Sequence, residues 1–310
     1  MKPKNMKISE SIKFDLQRIV VSHKTLESWR SVPHVCYVYE PDITDFYEEY
    51  IKLAKVRDNA GLKISFNTIM LKVIAEGLLK APSLNSCIEY NKRRAEGILH
   101  ILESINISMP WLLADGRMIT PVIHNAGKMS VNDISEYITK LSERIKKTNI
   151  DEMLYRTIIA DTVDELRQFK ILKVIGRMIT ALASNNQVKG LSGKGKKHYY
   201  KIPGKERLTE HDILNGTVTV SNIGSLYKEQ RGFFTLLEVI PPQVFAVGIG
   251  SVQEKPGVYI SREGKKEIGI RKTLPMCLAF DHRAVDFNAV IPFIKRLDEL
   301  FYNPDIIHKW

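Results

Sequence analysis

Leu274 to Phe287 reads LPMCLAFDHRAVDF, an apolar run that passes straight into a short polar turn carrying His282 and Asp286. The run Leu274 to Phe280 has the length and bounding of a buried strand. That strand would deliver His282 to its end, where a scaffold holds a side chain rigidly beside a cleft. An imidazole held there suits a general base, because its ordinary titration range lets it take a proton from a hydroxyl or thiol near neutral pH. His-x-x-x-Asp is also a spacing that chance produces, and it serves as readily as a structural ion pair or a capped turn. A second polar side chain at a strand end is Ser221, which closes the alternating stretch NGTVTVSNIG.

Those residues need a scaffold, and 310 residues provide enough chain to bury a sizeable core in one large α/β domain or two smaller ones. With 44% hydrophobic and 26% charged residues the composition is globular, which argues against wholesale disorder and against a fibrous repeat. The formal charge of +11 favours anionic partners: nucleic acid, a membrane surface, an acidic protein or a phosphorylated cofactor. Cys36, Cys87 and Cys277 lie far apart and form no CxxC pair, as expected of buried thiols in a reducing compartment. The N-terminal MKPKNMKISE is followed by no apolar signal region, and no run of about 18 apolar residues occurs. We expect a cytoplasmic protein without a membrane span or a bound metal.

In chain order, Met1 to Lys13 reads as a flexible tail. Phe14 to Trp29 has helical spacing and must stop before Pro33. HVCYVYEPDI alternates as a strand, and Asp42 is placed to cap the helix that runs to Gly61. SFNTIMLKVIAEGLLKAP is apolar on nearly all sides and predicts a buried helix ended by Pro82. GILHILESINISMPWLL and MITPVIHNA predict two strands joined as a hairpin at Asp115-Gly116. Ser130 caps an amphipathic helix with a basic end.

Character changes over Asn149 to Ile213. Asp151 to about Ser184 predicts a helix, and NQVKGLSGKGKKHYYKIPGKER an exposed, aperiodic basic loop. Its GKGKK lacks the GxxxxGK[ST] spacing and the preceding strand that a phosphate loop requires, so a solvated charge run is the better reading. Beyond it come the Ser221 strand, a strand after the Pro-Pro turn in EVIPPQVFAVGIGSV, a hairpin turning at Glu263-Gly264, and a final helix ended by Asn303-Pro304. Strands interspersed with helices and no GxGxxG give a mixed α/β layer fold without a dinucleotide fingerprint.

Several stretches, in this order, resemble the catalytic core of the dihydrolipoamide acyltransferases of 2-oxo acid dehydrogenase complexes, within the chloramphenicol acetyltransferase-like superfamily. They are SWRSVPHV (28–35), PSLN (82–85), INISMPWLLADGRMITPVIHNAGKMS (105–130), NGTVTVSNIG (215–224), IPPQVFAVGIG (240–250) and DHRAVD (281–286). The resemblance covers Phe14 to Ile307 apart from Asn149 to Ile213, where the family usually has a short link. It implies an α+β two-layer fold with a mixed sheet and flanking helices, one catalytic domain over 14–310 with an insert at about 149–213, and a homotrimer or a multiple of it with sites between subunits. Coenzyme A, as acyl-coenzyme A substrate, would meet an acceptor hydroxyl, amine or thiol, the acceptor free or borne on an acidic carrier or a lipoyl protein.

By the same resemblance His282 matches the general base, Ser221 the hydroxyl that hydrogen-bonds the oxyanion, and Asp286 the motif residue that orders the site. Arg18 falls where a supporting arginine belongs, and His34 matches the family in a packing role. The chemistry is consistent, since acyl transfer needs a base for the nucleophile and a donor aimed at developing negative charge. Two departures stand out. Phe287 occupies the position of the family's glycine after the motif aspartate, and the stretch before Phe14 has room for neither a lipoyl domain nor a subunit-binding domain. The expectation is a stand-alone acyltransferase; a non-catalytic assembly protein retaining the fold is the competing class, and nucleic-acid binding rests on charge alone.

Overall fold

A computed structural model describes residues 7–59, 61–167, 190–261 and 263–310. Its centre is a six-stranded mixed sheet in the order β1 (His34–Tyr39), β12 (Met276–Asp281), β9 (Phe245–Ile249), β8 (Val218–Asn222), β4 (Ile107–Ser108) and β7 (Val122–Ile123). β12 runs antiparallel to both β1 and β9, β8 runs parallel to β9 and β4, and β7 closes the edge antiparallel. β9 and β12 are buried along their whole length. Their continuous apolar sequences, FAVGI and MCLAF, are what two covered faces demand.

One face is covered by α3 (Phe66–Lys80) and α7 (Phe287–Tyr302). α3 is buried from Thr68 to Ala75, in keeping with its apolar residues on nearly all sides. Phe245 of β9 meets Phe293 of α7 edge to face at 5.2 Å, and Phe280 is buried in the same core. Gly77 lets the two helices approach, since a Cβ there would fall 2.6 Å from Leu297 and 2.7 Å from Phe293. Around this core lie α1 (Leu16–Ser31), α2 (Thr44–Asn59), α4 (Val131–Lys146), α5 (Ile150–Arg167) and α6 (Gly193–Tyr199). Asp15 caps α1 through the Arg18 N–H, and Ser130 and Asp133 form a reciprocal capping box on α4.

Three expectations need correction. The hairpin expected across 97–126 is present in one register but shorter, from 107 to 123, where β4 pairs with β7 and β5 (Trp111–Leu112) with β6 (Met118–Ile119) across the Asp115-Gly116 turn; Gly116 has φ +83°, and the ladder is interrupted where Pro110 and Pro121 cannot donate. A separate hairpin, β2 (Ser86–Asn91) with β3 (Glu96–Ile101), precedes it and takes the first residues of the expected longer strand. Thirdly, GKGKKHY, expected to be aperiodic loop, is the helix α6. Tertiary contacts impose it: the Tyr200 hydroxyl donates to Glu152 Oε1 at 2.6 Å, the Leu191 N–H donates to Oε2 at 2.6 Å, and Arg207 lies over the Tyr199 and Tyr200 rings. The helix expected up to Ser184 is present as α5 to Arg167; residues 168–189, with Lys189 of the basic stretch, are outside the described residues. Among the described residues no helix is long and apolar enough to cross a membrane.

Gly224 ties the Ser221 strand to the sheet's end, because its Cα passes so close to Gly250 that a Cβ would fall 2.3 Å from the carbonyl oxygen. Backbone cannot give way as a side-chain tip can. Gly224→Ala should therefore cost about 1–3 kcal/mol, read as a lower midpoint in denaturant unfolding. Wild-type stability in that variant would show that the approach is not obligatory.

Candidate active site

The strand β12 ends in a turn built from its own side chains. Asp281 is fully buried, opposite His34 of β1, and its carboxylate takes a forked grip from Arg283 Nε at 3.0 and 3.2 Å and Nη2 at 2.6 Å. The Arg283 N–H adds a bond to the same carboxylate at 2.9 Å, and the Asp281 carbonyl accepts from Ala284 and Val285. Two planar groups in bidentate contact fix both position and orientation. His282, between them, has its backbone N–H donated to the Pro33 carbonyl at 3.1 Å. The turn is locked from both sides.

The His282 ring meets the Phe280 ring edge-on at 5.9 Å and places Nδ1 3.1 Å from Asp286 Oδ1. An ionised carboxylate at that distance favours the tautomer with the proton on Nδ1, which leaves Nε2 as the acceptor. Asp286 is the N-cap residue of α7 but makes no capping bond there, which leaves its carboxylate for the histidine. Both side chains are solvent-accessible, 49% for His282 and 75% for Asp286, so Nε2 is open to an incoming group.

Ser221 sits near the end of β8, half-buried. Its neighbour Asn222 is held by Asn67 of α3, whose Oδ1 accepts from Asn222 Nδ2 at 2.8 Å. Ser221 faces Gly248 of β9, and Gly248 faces Cys277 of β12, so Ser221 is level with Cys277 while His282 lies beyond the other end of β12. At about 3.3 Å per residue along a strand and about 4.8 Å between strands, the two are roughly 19 Å apart. One chain does not bring this histidine and this serine together.

The remaining expectations are placed as follows. Arg18 is exposed on α1, where its backbone N–H bonds Asp15; Arg283, a residue the motifs did not single out, grips the Asp281 carboxylate. The signal for Arg283 in the sequence is its place two residues after the aspartate in DHR. His34 Nε2 lies 3.1 Å from Ser28 Oγ, and that hydroxyl already donates to the Val239 carbonyl, so His34 donates here and is engaged structurally. Trp29 packs on its ring. Phe287 opens α7 with its ring against Tyr37 of β1, centroids 5.0 Å apart, and remains 41% exposed. All three cysteines are free. Cys277 donates a hydrogen bond to Cys36 on the adjacent strand, which outweighs burial and lowers the Cys36 thiol to about 7; Cys277 itself is pushed up.

With this geometry in view, the model of the family "2-oxoacid dehydrogenases acyltransferase (catalytic domain)" matches residues 7–158 and 195–308. The chain belongs to this family. It is 23% identical over 295 residues to the dihydrolipoyllysine-residue acetyltransferase component of the pyruvate dehydrogenase complex of Staphylococcus epidermidis, covering 95% of this chain and 52% of that one. The corresponding Mycobacterium tuberculosis component is 22% identical over 270 residues, covering 87% of this chain and 37% of that one. The chain thus spans about half or less of these curated relatives. Among solved structures, a probable dihydrolipoamide acetyltransferase from Listeria monocytogenes superposes with TM-score 0.64 at 18% identity, covering 96% of this chain and 95% of that one. The cubic core of the pyruvate dehydrogenase multienzyme complex gives 0.64 at 19%, covering 99% of each chain. At these identities the likeness is one of fold: the mixed sheet with flanking helices is that of the acyltransferase cores.

The turn makes a testable claim. Arg283→Ala leaves the Asp281 carboxylate buried without its guanidinium, which should cost about 3 kcal/mol, the low end for a broken buried pair because Arg283 itself is partly exposed. Chemical denaturation checks this, and an unchanged midpoint would mean that the fork does not hold the turn.

Proposed function

We propose that this family member moves acyl groups between coenzyme A and an acceptor thiol or hydroxyl, with the dihydrolipoyl thiol of a separate protein or domain as the first acceptor to test. The observation that carries the reading is His282, fixed at a strand end by the Asp281–Arg283 turn, with Nδ1 3.1 Å from Asp286 Oδ1 and the side chain half exposed to an incoming group.

In the proposed step Nε2 takes the acceptor's proton as its sulfur or oxygen attacks the thioester carbonyl. The carbonyl oxygen becomes an oxyanion, which the Ser221 hydroxyl of a neighbouring copy stabilises by donating a hydrogen bond. The tetrahedral intermediate collapses with cleavage of the carbon–sulfur bond. The departing coenzyme A thiolate takes the proton back from the imidazolium, restoring the base. Asp286 stabilises that imidazolium and holds its tautomer. The reverse reaction uses the same groups in the opposite order. Ser221 belongs to a second copy in this reading because roughly 19 Å separates it from His282 within one sheet. Repetition of the same contact around a closed ring gives a trimer or a multiple of it.

The test is to incubate the protein with a panel of acyl-coenzyme A species and with dihydrolipoamide, small alcohols or amines, following free thiol release and product mass. Turnover with at least one pair is expected, and His282→Ala should lower kcat by roughly 10²-fold to 10⁴-fold while the circular dichroism spectrum is retained. Near wild-type turnover in His282→Ala would remove the base from the mechanism. No turnover with any pair, in assembled wild-type protein, would favour the non-catalytic class, which the ring of Phe287 at the position of the family's glycine and the long basic insert support.

A further inference from the structure

At the sheet edge farthest from β1, the segment that leads into β8 leans on β4 and β7. His124 Nε2 donates to the His211 carbonyl at 3.0 Å, and Asn106 Nδ2 to the Asn215 carbonyl at 3.0 Å. β4 is three strand spacings from β12, roughly 14 Å. The ribbon of β10 (Gln253–Ile260) and β11 (Lys266–Thr273) is anchored at the other side, by Arg271 to Asp42 just past β1. Between α5, α6 and residues 207–210 lies a cavity of about 180 Å³. None of its walls belongs to the His282 turn or to the Ser221 strand.

Three polar side chains line this cavity without being fully used. The Arg207 guanidinium lies over the Tyr199 and Tyr200 rings at 5.0 and 4.8 Å. Of its donors, Nε bonds the Ile202 carbonyl at 3.2 Å and Nη1 the Leu208 carbonyl at a long 3.5 Å; among the described residues no carboxylate pairs with it. Arg156 sets its Nε on the Tyr200 hydroxyl at 3.0 Å. Tyr199 is 7% exposed, and its buried hydroxyl has no hydrogen-bond partner among the described residues. A buried hydroxyl left unpaired is costly, so its retention calls for a use. Two carboxylates also line the cavity. Both oxygens of the buried Glu152 are taken, by the Tyr200 hydroxyl and the Leu191 N–H, and the exposed Glu210 acts on Arg156. Arg207 is left as the unmatched charge, and Met153 and Leu208 add apolar wall.

We propose that this cavity binds a small organic carboxylate, gripped by the Arg207 fork, with the Tyr199 hydroxyl donating to the same group and the aliphatic part lying against Met153 and Leu208. A planar carboxylate matches the guanidinium edge that Nη1 and Nη2 present. The volume is below the roughly 300 Å³ at which pockets for larger ligands begin, so the ligand is a short acid and not a nucleotide. The Tyr199 hydroxyl is closed to solvent, and the ligand reaches it as the Arg207 side chain shifts off the ring to take the carboxylate. This site is independent of the acyl-transfer reading.

The probes are acetate, butyrate, succinate and inorganic phosphate, each compared with chloride at equal ionic strength, because a chain of net charge +11 responds to any anion. Ligand-observed NMR reads binding to the full chain, and circular dichroism the fold. A carboxylate should bind saturably where chloride does not. Arg207→Lys keeps the charge and loses the fork, and should weaken that binding roughly tenfold. Tyr199→Phe removes the hydroxyl alone, and should also weaken binding roughly tenfold. Without ligand its unfolding midpoint should equal or exceed that of wild type, since the lost group had no partner; a lower midpoint would mean that the hydroxyl serves the fold instead and would overturn its assignment to the ligand. Should Arg207→Lys fail to fold, Tyr199→Phe decides. No carboxylate binding beyond chloride, phosphate bound in preference to every carboxylate, or wild-type affinity in either folded variant would overturn the proposal, and none of these results bears on His282.

Discussion

A hydrogen-bonded sheet fixes distances along and across its strands, and that rigidity governs everything else in this molecule. β9 and β12 are buried on both faces, and their register with β8 leaves no freedom to slide. A slip of one residue would turn Phe245, Phe280 and Leu278 away from the helix layer. The sheet consequently holds Ser221 near one end and His282 beyond the other. Whatever chemistry unites the two must come from an arrangement of copies, because a packed core does not deform over such a distance.

The local electrostatics have the same character. Asp281 is buried and therefore would be costly if unpaired; Arg283, two residues on, satisfies it with a fork that also shapes the turn. Asp286 is exposed and placed differently, with Oδ1 3.1 Å from the His282 Nδ1. The two aspartates of the DHRAVD motif thus face different partners, one the Arg283 fork and the other the imidazole. Phe287 follows directly, and its contact with Tyr37 extends the aromatic rim at the histidine end.

Much of this was legible in the residues. The apolar run before His282, the alternation of TVTVS and the cap at Ser130 follow from strand and helix patterning, and the structure places the corresponding elements within a few residues. What was hidden depended on partners distant in sequence. α6 is helical because Glu152 and Arg207 hold its tyrosines, which no local pattern in GKGKKHY reveals. The hairpin β2–β3 turns through Lys92, Arg93, Arg94 and Ala95, with Asn91 before them as the one turn former. The Cys36–Cys277 contact needs the strand register. The resemblance already implied sites between subunits; the ladder adds the distance that separates His282 from Ser221 in one chain.

The most direct measurement of the shared site mixes two crippled proteins. His282→Ala and Ser221→Ala are unfolded together in equal amounts, refolded so that copies mix, and assayed for acyl transfer beside each variant refolded alone. In a closed ring of like interfaces, roughly a quarter should pair an intact histidine with an intact serine. The account predicts activity near that fraction of wild type, well above the mean of the two variants. Activity no higher than that mean, in a preparation shown to contain mixed assemblies, would contradict it.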